Sequence, residues 1–74
     1  MENFYETHNG KTISLEEVVS IEPIKDYRNS VRRFVIHLDS GQPVDDYAFQ
    51  FVQGDYEEQL NNWQVLKKSM DVHK

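Results

Sequence analysis

Seventy-four residues with no cysteine, a net charge of −5 and 12% aromatic side chains leave room for one small core over residues 1–74. They exclude disulfide staples and thiolate metal centres. The start of the chain, Met1 to Glu6, has neither a basic leader nor an apolar run, and the longest strictly apolar run, Phe34 to Ile36, is far too short to span a bilayer. A cytoplasmic chain without membrane contact is the expectation.

In chain order, Asn9 and Gly10 lie between two short runs of strand-forming residues, the signature of a two-residue type I′ hairpin. That register sets Phe4 opposite Leu15 and Glu6 opposite Ile13, with Phe4, Ile13 and Leu15 facing the core. Ser14 and Glu17 have capping-box spacing and predict one helical turn over Leu15 to Val18. Val18 to Ile24 returns to strand character until Pro23 marks an edge or an end, and Asp26 to Ser30 reads as a polar loop. The clearest strand runs from Val31 to Leu38, where Phe34, Ile36 and Leu38 alternate with Arg33, Val35 and His37.

Asp39, Ser40 and Gly41 predict a tight hairpin into a return strand over Gln42 to Phe51, with Tyr47, Phe49 and Phe51 on the core face. Asp55 reads as the N-cap of a helix, with Glu58 completing the box. Tyr56, Leu60, Trp63, Leu66 and Met70 form its apolar stripe. The predicted fold is α+β: a single antiparallel meander of four to five strands packed against one C-terminal amphipathic α-helix.

The stretch Ile13 to Glu22, followed by a strand and a glycine hairpin, is similar in outline to LytTR-type DNA-binding domains and to small flagellar FlbD-like proteins. The chain is acidic where a DNA-binding domain is basic, so the resemblance transfers no functional residue.

No motif for catalysis stands out. The three glycines, at 10, 41 and 54, make no phosphate loop, and no serine lies beside a histidine or a glycine-rich elbow. The histidines His8, His37 and His73 are scattered, and the one cluster with metal-ligating chemistry, His37 with Asp39, Asp45 and Asp46, reads as a solvated hairpin end. The expectation is a non-enzyme with no cofactor, no metal and no small-molecule substrate.

Charge is more informative. Lys25, Arg28, Arg32 and Arg33 form a basic segment suited to phosphate, although strand alternation sends Arg32 and Arg33 to opposite faces. From Phe34 to Leu66 the only charged residues besides His37 are Asp39, Asp45, Asp46, Asp55, Glu57 and Glu58. The acidic field disfavours direct nucleic-acid binding. The expected function is a protein-interaction or regulatory module acting through its surface, on a protein partner or as a homodimer. The alternative is a phage-type acidic inhibitor whose carboxylates mimic nucleic acid in a basic groove.

Overall fold

The computed structural model describes residues 4–72 and has the expected α+β arrangement of antiparallel strands packed against one C-terminal helix. The strands are β1 (Phe4–Glu6), β2 (Thr12–Ser14), β3 (Val18–Ile21), β4 (Lys25–Arg28), β5 (Val31–Leu38) and β6 (Val44–Phe49), and the helix is α1 (Asp55–Val72). β1 and β2 pair only with each other. In the four-stranded sheet β5 is central, with β6 along one side and β3 and β4 sharing the other. The Glu22 amide still donates to the Val35 carbonyl at 2.8 Å, but Pro23 has no amide to give, and the strand breaks there.

β5 matches its sequence pattern. Phe34 and Ile36 are buried and Leu38 packs beside them on the inner face, joined by Tyr5, Ile13 and Leu66, with Trp63 against the cluster. The pairs Phe34↔Asp46 and Ile36↔Val44 put Val44, Asp46 and Ala48 on that same inner face. The return strand therefore has the opposite phase to the one its aromatics suggest. Tyr47 and Phe49 point outward, and Phe51, past the strand end, is 77% exposed.

Three connections also differ from expectation. The first hairpin pairs Tyr5↔Ile13, one residue out of the predicted register, because its loop has three residues. The Gly10 amide donates to the Thr7 carbonyl and the Lys11 amide to Thr7 Oγ1, and only Gly10 takes a positive φ, +92°. Tyr5 and Ile13 are buried as a result, and Phe4 is 62% exposed. The helical turn appears as a 3-10 turn over Leu15–Glu17, but the Ser14 side chain does not cap it. Next, the predicted polar loop, Asp26 to Ser30, overlaps β4 at Asp26 to Arg28, and all four β4 residues are exposed. A segment whose one apolar side chain, Tyr27, lies outside the core becomes a strand there because β5 offers it a ladder of backbone partners. Finally, the connection from β5 to β6 spans residues 39–43, longer than a tight turn.

α1 turns Tyr56, Trp63, Leu66 and Met70 of its predicted stripe inward and departs from it at one position. Gln59 and Leu66 are fully buried, whereas Leu60 lies outside. The first helical carbonyl is that of Gly54, which accepts from the Glu58 amide at 3.0 Å, so Asp55 turns its carboxylate back toward the sheet instead of capping. Trp63 Nε1–H donates to the Glu22 carbonyl at 3.0 Å, fastening the helix across the strand break. No helix among the described residues is long and apolar enough to cross a membrane.

The observed hairpin register predicts that Phe4→Ser changes stability by less than about 0.5 kcal/mol. Tyr5→Ala, by contrast, costs about 3 kcal/mol or more. Urea denaturation of the two variants distinguishes the registers, since the alternative pairing reverses their order. At the β4–β5 turn Ser30 has φ +63°, the only described non-glycine residue with positive φ. Left-handed strain costs a side-chain-bearing residue roughly 1–2 kcal/mol, more than the roughly 0.5–1 kcal/mol of chain entropy a glycine costs. Ser30→Gly therefore raises the urea midpoint.

Candidate functional site

The most organised polar cluster joins three elements that share no ladder. His8, in the β1–β2 loop, donates from Nδ1 to the Asp46 carboxylate at 3.0 and 3.1 Å and from Nε2 to Asp55 Oδ1 at 3.0 Å. Asp46 lies at the middle of β6, and Asp55 opens α1. The His8 side chain is 4% exposed and that of Asp46 is fully buried. Ionised carboxylates only accept hydrogen bonds, so an imidazole held on both sides this way carries protons on both nitrogens.

The shifts follow from this geometry. Burial alone would lower the His8 pKa, but the hydrogen bond and charge of Asp46, then those of Asp55, outweigh it and raise the net value above 6.5. Asp46 is raised above its ordinary 3.8, first by burial, with His8 opposing and Asp55 adding repulsion. Burial, and then the charge of Asp46, push the Tyr5 phenol up as well. Tyr5, His8 and Asp46 each hold a proton more tightly than the same group does in water.

Around it, Asn9 pairs its side-chain amide with the backbone of Tyr47, donating to the carbonyl at 3.0 Å and accepting from the amide. The second Asp55 oxygen accepts from the Phe49 amide at 2.7 Å. Gln59 Nε2 donates to the Asp46 carbonyl at 2.9 Å. The Tyr5 hydroxyl, Gln59 Oε1 and Arg32 Nε are buried without a hydrogen-bond partner. Both His8 nitrogens are engaged by carboxylates, so the arrangement ties the β1–β2 loop to β6 and α1.

The acidic residues singled out from sequence do not share one surface. Asp46 and Asp55 turn inward to His8, a correction to their expected exposure that follows from the inverted phase of β6 and the carbonyl cap at Gly54. Asp39, Glu57 and Glu58 are exposed, and Asp45 is half-buried with the Tyr47 hydroxyl donating to it at 3.2 Å. His37 pairs with Glu22 at 2.7 Å instead of with Asp39 or Asp46, and this hydrogen bond is the main cause of a lowered Glu22 pKa. Among the described residues no three histidine or carboxylate side chains are placed to hold a metal. His73 lies outside the described residues.

The basic residues also divide. Arg32 goes to the inner side, its guanidinium 3.9 Å from the centre of the Tyr56 ring and donating to the Tyr56 carbonyl at 3.1 Å. Lys25 and Arg33 line a cleft of about 270 Å³ at the strand break, with Glu22 and Asp26 among its walls. Arg28 and Arg33 lie over Tyr27 at 5.1 and 4.6 Å from the ring centre, and Tyr27 meets Tyr47 edge to face at 5.4 Å. Phe49 and Phe51 follow at 5.5 Å from each other. This outer-face aromatic group was not legible in the sequence, because the alternation of Tyr47, Phe49 and Phe51 is the same for either face.

Comparison of the chain with known protein families, curated proteins and solved structures gives no match.

His8→Ala leaves Asp46 buried without its cation and is expected to cost about 3 kcal/mol at mildly acidic pH. His8 binds its proton more tightly in the folded chain, so its contribution is complete below about pH 6.5 and declines as pH rises through the raised folded value. Urea midpoints measured across pH should therefore converge for the wild type and His8→Ala as the medium becomes alkaline.

Proposed function

We propose that the chain is a non-enzymatic interaction module that binds a protein partner through the outer face of its sheet. One observation carries this reading. The helix and the first hairpin cover only the inner face, and the outer face carries an exposed Tyr27 and half-buried Val31, Tyr47 and Phe49, with the exposed Phe51 beside them. Tyrosine, phenylalanine and arginine are the residue types that anchor protein interfaces, and a stack that already fixes their rotamers lowers the entropy lost on binding. Arg28 and Arg33 hold Tyr27 in this way.

The edges of the sheet suit pairing less well. β4 carries Lys25, Asp26 and Arg28, and the free side of β6 is occupied by Asn9 and Asp55. A homodimer on this reading therefore uses the face, not strand addition at β4 or β6. The acidic-inhibitor alternative retains Asp39, Asp45, Glu57 and Glu58, spread over a loop, a strand and a helix start.

Capture from host extract with the wild type and with Phe51→Ser tests the proposal. The partner should be retained by the wild type and lost with Phe51→Ser, while the urea midpoints agree within about 0.5 kcal/mol because the residue is exposed. Equal capture by both proteins rules out this face. Light scattering of the pure chain separates self-association from a different partner, since a monomer is 8.8 kDa. Loss of the partner on adding salt, with no response to Phe51→Ser, would instead favour the acidic reading.

A further inference from the structure

We propose that the proton on His8 is a gate: while it is present the β1–β2 loop is clamped against the outer edge of β6, and its loss lets the hairpin swing away and uncovers that edge.

The argument begins with connectivity. The hairpin shares no ladder with the main sheet, so what holds it is the packing of Tyr5 and Ile13 and the polar contacts of its loop. Those contacts are few and specific. His8 reaches Asp46 on β6 and Asp55 on α1, and Asn9 takes both the amide and the carbonyl of Tyr47. The side chain of Asn9 thus fills the place that a neighbouring strand would occupy, and the Asp55 carboxylate does the same for the Phe49 amide.

The clamp depends on one titratable group. The charged groups acting on His8 are Asp46 and Asp55, and Asp46 in turn feels Asp55. The Tyr5 phenol of β1 also feels Asp46. With His8 protonated, one cation sits between two carboxylates. Without the proton, one ring nitrogen presents a lone pair to a carboxylate oxygen, and two anions share a largely buried site with only a neutral ring between them. Swinging the loop away relieves this by letting water reach the Asp46 carboxylate, and Asp55 is already at the margin, its side chain 14% exposed. Asn9 adjoins His8 and must follow it. Tyr47 then regains a free amide and carbonyl on an open strand edge, the kind of edge that accepts another extended segment.

Amide hydrogen exchange read by NMR, expressed as protection relative to the unstructured rate at each pH, tests the gate on the full chain. The Tyr47 amide, which donates to Asn9, should lose protection by about tenfold or more over the interval in which the His8 ring resonances titrate. The Glu22 and Gln50 amides, bonded to Val35 and Ser30, should hold theirs. In Asp55→Asn the His8 midpoint and the loss at Tyr47 should move to lower pH together. In His8→Gln, Tyr47 should be weakly protected at every pH. If all three amides weaken in parallel, the change is global unfolding and the gate is wrong. It is equally wrong if Tyr47 stays protected through the His8 titration, or if Asp55→Asn shifts one midpoint without the other.

Discussion

A carboxylate buried in the middle of a very small core is the constraint around which the rest is arranged. Asp46 stands opposite Phe34 on the inner face of the sheet, where an ionised group loses its hydration and an apolar side chain would pack without penalty. Its carboxylate is answered by His8, which is 38 positions away in the chain, and its carbonyl by Gln59 from the helix. Neither partner can serve unless its element is in place. The pair is therefore a weak source of net stability but a strict condition on position: a hairpin in another register leaves the Asp46 charge buried alone, and a helix turned by one residue takes the Gln59 amide away from its acceptors at Arg32 and Asp46.

The same constraint explains what could be read from sequence. β5 was legible because Phe34, Ile36 and Leu38 face the core in the ordinary way, and the helix because its spacing and acidic start are ordinary too. Reading failed where polar residues go inside. Alternation on β6 assigns aromatics to the core and aspartates to water, so a strand that buries Asp46 and exposes Tyr47 is read in reverse. The helix stripe shifts for a similar reason, since Gln59 takes the central buried place that Leu60 appeared to own. In the first hairpin, Asn9 and Gly10 signal a turn correctly. The loop length, however, is decided by the Thr7 hydroxyl and by the work Asn9 does at Tyr47, neither of which leaves a local trace. The site around His8 joins positions 8, 46 and 55, and nothing in the spacing of the histidines announces it.

The inverted phase of β6 also determines what the molecule shows to its surroundings. If Tyr47, Phe49 and Phe51 were buried, the outer face would be left to small and charged side chains. Because Asp46 and Ala48 are inside, the aromatics are outside and must be accommodated there. Part of that accommodation is internal: Tyr47 meets Tyr27 and donates to Asp45, and Arg28 and Arg33 lie on Tyr27. Guanidinium groups placed over rings cover apolar surface while keeping their own charge hydrated.

That covering is unequal along the face. Toward the strand break, Val35 is nearly closed off, with Glu22 and Arg33 lining the same cleft and Asp45 opposite it in the ladder. Toward the other end, Phe51 has only Phe49 as a ring neighbour and stays in solvent. A stacked cation can be displaced by a partner's apolar side chain at little cost, because it moves into water that already hydrates it. An exposed phenylalanine has no such alternative and is buried only by something that arrives. On the proposed reading, the free energy available to an incoming surface is therefore concentrated at the Phe51 end, and the charged end would supply orientation through its alternating signs.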